Sequence, residues 1–97
     1  MHIEDSIRGY LPQFFEHRKQ DCLNLKTALE KNDYETVTRI GHSIKGVSRP
    51  FGFPDLETLG LKIEEAGLTK NNETIFSLLK SLENFVNEQD QKSNAET

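Results

Sequence analysis

The chain has 97 residues, which suits one small domain; 34% are hydrophobic and 29% are charged. Its formal net charge of −4 argues against nucleic acid as a partner, and no apolar run approaches the roughly 20 residues that a membrane-spanning helix needs. Residues 1–5 lack the features of a secretory signal peptide, and the single cysteine, Cys22, excludes an internal disulfide, so we expect a cytoplasmic protein.

Apolar residues recur with helical spacing throughout the chain, and no stretch alternates as a strand would. Asp5 and Ser6 favour a short opening helix that reaches about Tyr10. Pro12 suits the first turn of a long helix. We expect that helix to end near Asn32, since asparagine tolerates the left-handed conformation that often follows a helix.

The second long helix is bounded by strong local signals. Asp33 is a good N-cap for it, and Pro50 disfavours helical geometry at the preceding residue, so the helix should end near Arg49. Gly52 is expected at positive φ in the tight connection that follows. Pro54 then opens a third helix at its first position.

A break over residues 67–71 precedes a fourth helix, which Asn71 or Asn72 should cap. Four amphipathic helices with short connections predict an all-α protein, an antiparallel four-helix bundle with a short additional N-terminal helix. We expect one domain over residues 1–90 and a polar, disordered tail over residues 91–97. The residues expected to face the core are Leu11, Phe15, Cys22, Leu25, Leu29, Val37, Ile40, Ile44, Val47, Leu56, Leu59, Ile63, Ala66, Ile75, Leu78, Leu79, Leu82, Phe85 and Val86.

His42 lies opposite the apolar stripe of its own helix. A helix advances about 100° per residue, which places His42 roughly 180° from the centre of the stripe and therefore on the exposed face. Position alone would equally fit an idle surface histidine. Gly46 follows one turn later on the same face, and glycine inside a helix costs about 1 kcal/mol relative to alanine. A glycine there leaves room for a large partner to approach the imidazole.

Three cations surround His42 in the sequence. Arg39 precedes it by three residues, Lys45 follows it by three, and Arg49 stands at the helix end, so we expect this face to be locally basic. Neutral imidazole is nucleophilic at physiological pH, and a nearby cation offsets charge on a transferring phosphoryl group. The sequence has no Gly-rich nucleotide loop. We therefore predict a phosphocarrier, not an enzyme, that receives its phosphoryl group from another protein.

A longer motif extends this pattern. Residues 41–46 read Gly-His-Ser-Ile-Lys-Gly, residues 51–54 read Phe-Gly-Phe-Pro, and a Leu-rich helix with Gly60 and Glu64 follows. Together with the long preceding helix, these residues resemble the histidine phosphotransfer (HPt) domain family. The resemblance implies a four-helix bundle in a multistep two-component phosphorelay. In such a relay, Nε2 of His42 carries a phosphoryl group between aspartates of receiver domains.

The resemblance also implies roles for the neighbours of His42. Lys45 would support the phosphoryl group, while Gly46 gives access to the ring. Glu64 stands where the family tends to place a polar residue, often glutamine, that holds the Nδ1–H group. On a helical wheel Glu64 lies only at the edge of the apolar stripe of its helix, so the wheel does not decide whether it reaches His42.

The partners that the resemblance implies are response-regulator receiver domains and a hybrid sensor kinase. Their acidic, magnesium-containing sites would complement a basic face, so we expect magnesium on the receiver and no metal or cofactor in this chain. We expect Arg39, Gly41, Ser43 and Arg49 to contact these partners and the chain to be a monomer. The alternative is a non-catalytic helical adaptor with an idle His42. A di-metal bundle is disfavoured because the sequence has no Glu-x-x-His motif.

Overall fold

The computed structural model describes the backbone of residues 11–95 and the side chains of residues 11–91. This part of the chain forms four helices: α1 (Leu11–Glu30), α2 (Tyr34–Ser48), α3 (Pro54–Leu68) and α4 (Asn72–Ala95). Each helix packs against the next, and α1 also packs against α4, so the four close into a bundle. Short connections make successive helices antiparallel, which confirms the predicted all-α fold. The short helix predicted near residues 5–10 lies outside the described residues.

The connections follow the local signals in the sequence, with one exception. Asn32 ends α1 at a φ of 54°, and Gly52 has a φ of 80° between α2 and α3. The side chain of Asp33 accepts a hydrogen bond from the backbone N–H three residues ahead and caps α2. Asn71 caps α4 in the same way. The exception is Lys70, which adopts a φ of 55° that its residue type does not predict.

The core contains the predicted stripes. Most of these side chains are buried, whereas Leu11, Leu29, Val47, Leu59, Leu78 and Phe85 are half-buried against the core. Aromatic rings close one end of the bundle. The ring of Phe14 stacks on Phe51 and Phe53, with centroid distances of 4.3 and 5.6 Å, and Phe53 meets Phe85 edge-on at 6.1 Å. The connection between α2 and α3 is thereby fixed to α1 and α4.

Two polar residues are also buried. Arg18 lies on the inward face of α1, where its guanidinium is 4.8 Å from the centroid of the Phe14 ring and its Nε donates to Asp21 at 2.7 Å. Ser48, at the end of α2, donates its hydroxyl to the carbonyl oxygen of Ile44. Both polar groups are therefore satisfied, as burial requires.

The sequence predicts a disordered tail over residues 91–97. In the structure, helix α4 continues through the first five of these residues and ends at Ala95. An ion pair between Lys19 Nζ and an Asp90 carboxylate oxygen, 2.7 Å apart, joins α4 to α1 at the last residue before the predicted tail. Residues 96–97 lie outside the described part of the chain. None of the helices that the structure describes is both long and apolar enough to cross a membrane.

Helices α2 and α3 touch through their main chains. Gly41 on α2 and Gly60 on α3 are both buried. A Cβ added at Gly60 would lie 2.5 Å from the backbone nitrogen of Lys45 and 2.8 Å from the carbonyl oxygen of Gly41. A Cβ at Gly41 would collide with the backbone of Glu64. This Gly41–Gly60 contact brings Lys45 and Glu64 to the same edge of the α2–α3 interface.

Candidate functional site

His42 projects from the middle of α2 into solvent. Its side chain is 69% exposed, whereas Ile40 and Ile44 on either side of it are buried. The 100° advance per residue separates the ring from these two side chains. The predicted exposure of His42 is thus confirmed.

A single carboxylate from α3 contacts both His42 and Lys45. Glu64 Oε2 lies 3.0 Å from Nδ1 of His42, and Glu64 Oε1 accepts a hydrogen bond from Nζ of Lys45 at 2.9 Å. An ionised carboxylate can only accept, so this contact places a proton on Nδ1 of the ring. In the neutral ring, Nε2 is then the nitrogen with the free lone pair.

Glu64 is held in its ionised form by these neighbours. The hydrogen bond from Lys45 is the largest cause of a lowered pKa at the Glu64 carboxyl. Partial desolvation raises the pKa of this group, and the hydrogen bond from His42 lowers it further. Glu64 is therefore an acceptor across the physiological pH range, which keeps the proton of the neutral ring on Nδ1.

Gly46 leaves open space one turn after His42. A Cβ added there would have no atom of the described residues within 4 Å, apart from its own chain neighbours and helix backbone. Packing therefore does not require a glycine at this position, although glycine weakens a helix. The space is consistent with the access role that the sequence suggests for Gly46.

The cations expected on this face are largely paired with carboxylates of α3. Arg49 Nε donates to Glu57 Oε2 at 2.8 Å, just as Lys45 is bound to Glu64. Arg39 is exposed on α2. The expectation of a basic face counted only the charges near His42 in the sequence, and α3 brings a carboxylate beside two of those three cations.

Gly41 does not lie on the exposed face. It is buried against Gly60, so the prediction that Gly41 contacts a partner is wrong. The physical reason lies in the helical spacing: Gly41 follows Val37 by four residues and precedes Ile44 by three, which places it on the buried stripe. Ser43, in contrast, is exposed beside His42.

Gly60 is the residue of this region whose role the sequence reasoning missed. It follows Leu56 by four residues and precedes Ile63 by three, and both of these are fully buried. A glycine on the apolar stripe of each of two consecutive helices is a signal for close approach of their main chains. That approach lets Glu64 reach across to His42.

The sequence matches the model of the Hpt domain over residues 9–92, which includes α1, α2, α3 and most of α4. The chain belongs to the Hpt domain family. Hpt domains are phosphocarriers rather than kinases, and they interact with receiver domains and kinases in phosphorelays. No curated protein and no solved structure matches the chain.

Among the side chains of residues 11–91, the structure places no three His, Cys, Asp or Glu together in a potential metal site. Glu64 and His42 form a pair, and the third member of their cluster is the cation Lys45. An ammonium group donates hydrogen bonds and cannot serve as a ligand while it is charged. This Hpt domain thus presents an imidazole–carboxylate–ammonium arrangement, and the absence of a cofactor stays a prediction.

Proposed function

We propose that His42 is the phosphoryl acceptor and donor of this Hpt domain and that Nε2 carries the group between receiver aspartates in a multistep phosphorelay. The observation that supports this most is the contact between Glu64 and Nδ1 of an exposed ring. This contact directs the free lone pair of the neutral ring to Nε2. Nε2 is the nitrogen that a partner can approach.

The transfer needs no group beyond those of the two proteins and the magnesium expected on the receiver. The lone pair of His42 Nε2 attacks the phosphorus of a receiver phospho-aspartate, an N–P bond forms, and the P–O bond breaks as its electrons return to the aspartate. The N–H group at Nδ1 takes no part in these bond changes and donates its hydrogen bond to Glu64. A second receiver aspartate reverses these steps and regenerates the free ring.

Lys45 supplies the charge that the phosphoryl group requires. Its ammonium is bound to Glu64 and its side chain is 32% exposed. Because lysine is a flexible chain with three rotatable donors, Lys45 can share its hydrogen bonds between Glu64 and the phosphoryl oxygens. Arg39, Ser43 and Arg49 lie on the surface that a receiver would contact. The domain then acts as a cytoplasmic monomer that needs no metal or cofactor of its own and exchanges phosphoryl groups with receiver domains and a hybrid sensor kinase.

Incubation with a radiolabelled phospho-receiver tests this proposal. Acid-labile, base-stable label should appear on the wild-type chain and vanish from His42→Gln. His17→Gln is the matched control, because His17 is an exposed histidine on α1, and it should accept label normally. Label that persists in His42→Gln would refute the assignment. Failure of every receiver to donate would favour the adaptor alternative.

A further inference from the structure

Glu64 makes two contacts through its two different oxygens, and a neutral amide in the same orientation could not reproduce both. Its two oxygens accept from different donors, Nδ1 of His42 at 3.0 Å and Nζ of Lys45 at 2.9 Å. A glutamine has a single acceptor oxygen, and its NH₂ group would face one of these donors. The carboxylate is therefore suited to a site in which both the ring and the ammonium carry positive charge.

Such a state arises when His42 is phosphorylated, as the proposed function requires. The N–P bond breaks with its electron pair returning to Nε2, while the phosphoryl group bonds to an aspartate oxygen or to water. If Nδ1 carries a proton, the ring departs as neutral imidazole. If Nδ1 carries none, the ring must depart as an imidazolide anion, which is a far poorer leaving group.

We propose that the negative charge of Glu64 keeps the proton on Nδ1 of phosphorylated His42 and thereby sets how readily the phosphoryl group leaves. Glu64 is then a positioning residue that acts through the ring. A hydrogen bond to a charged partner is about twice as strong as one between neutral groups. The carboxylate therefore favours protonation of Nδ1 more than an amide would.

Charged groups reach this site from two helices. From α2, Lys45 contacts Glu64, and Arg39 lies one turn before His42. From α3, Glu64 contacts the ring, while Glu57 is paired with Arg49. The Glu64 side chain is 19% exposed, so its charge is less screened by water than that of a fully exposed carboxylate.

Chemical phosphorylation of the full chain tests this inference without a receiver. Potassium phosphoramidate is used as the phosphoryl donor, and the phosphohistidine is followed by ³¹P NMR between pH 5 and pH 9. His42→Gln identifies the resonance of phosphorylated His42. In Glu64→Gln the midpoint of ring protonation should fall by about one pH unit, and at pH 8 the phosphohistidine should survive about three to ten times longer.

Two further variants make the result specific. Glu65→Gln removes the same charge from an exposed neighbouring position of α3 and should leave the midpoint in place. Lys45→Met removes the competing donor and a positive charge, so it should move the midpoint upward, and it tests the inference even if Glu64→Gln is poorly folded.

The failure of this inference differs from the failure of the proposed function. Equal midpoints in wild type, Glu64→Gln and Lys45→Met would overturn the role of the Glu64 charge, while the labelled His42 would leave the phosphocarrier proposal standing. If the wild type shows no resonance that depends on His42, both fail.

Discussion

Replacing Gly46 should increase stability. Gly46 lies inside α2, and an added Cβ would contact no atom of the described residues beyond its own helix. Alanine is therefore free of steric cost there and gains the full difference in helix propensity, about 1 kcal/mol. For a domain of this size, that gain corresponds to a rise of about 4–8 °C in melting temperature. Thermal unfolding followed by circular dichroism measures it directly.

A large, charged side chain at residue 46 should slow phosphoryl transfer. Gly46→Glu keeps a good helix former in α2 but places a carboxylate one turn from His42, where it would repel both a phosphoryl group and an acidic receiver site. A like-charge interaction of about 1–2 kcal/mol in this partly screened setting corresponds to about a tenfold slower transfer. Rapid-quench measurements of transfer from a phosphorylated receiver give this rate.

A control variant separates local from general charge effects. Ser77→Glu adds the same charge to the exposed surface of α4, and it should transfer at the wild-type rate. A loss of stability in Gly46→Ala would contradict the open space at this position. Normal transfer in Gly46→Glu would contradict the role of residue 46 in access to His42.

Three further perturbations test other parts of the structure. Gly60→Ala forces a Cβ against the backbones of Lys45 and Gly41, and we expect a loss of at least about 1–3 kcal/mol in the free energy of unfolding by urea; an unchanged value would contradict the close approach of α2 and α3. Lys45→Ala should slow transfer from a receiver about 10- to 100-fold, since a hydrogen bond to a charged group contributes about 1.5–3 kcal/mol, and unchanged kinetics would show that the ammonium is not used. Burial raises the pKa of the Cys22 thiol from 9.0 to about 12, so iodoacetamide at pH 8 should label the native protein much more slowly than the urea-unfolded chain. Because the pKa of Cys22 is higher in the folded state, the buried neutral thiol contributes fully to folding stability below pH 9. This contribution is lost as the pH rises toward 12, and Cys22→Ala should reduce that alkaline loss of stability.

The helix ends that depend on a single residue's own side chain or backbone preference were predictable from the sequence. Asn32, Asp33 and Asn71 end or begin helices through their own side chains or backbone preferences, and the structure has each of them in that role. Lys70 was not predictable in this way, because lysine has no preference for positive φ. Its conformation is imposed by the connection, where its N–H donates to the carbonyl oxygen of Gly67.

The candidate site was only half predictable, because a helical wheel gives faces and not distances between helices. The wheel placed His42 on the exposed side of α2 correctly. It left Glu64 at the edge of its stripe, since the contact with His42 depends on how closely α3 approaches α2. Gly41 was expected to contact a partner, but consecutive helical residues point about 100° apart, so its place next to His42 in the sequence does not put it on the same face.

The contact between the main chains at Gly41 and Gly60 sets the distance between α2 and α3 beside His42 and Glu64. Where main chains touch, the spacing of two helices depends on the dimensions of the backbone, which are the same for every residue. Exchanging aliphatic side chains elsewhere in the bundle should then change stability more than it changes the separation of His42 and Glu64. Substitutions of core side chains away from Gly41 and Gly60 should therefore leave the contact between His42 and Glu64 in place.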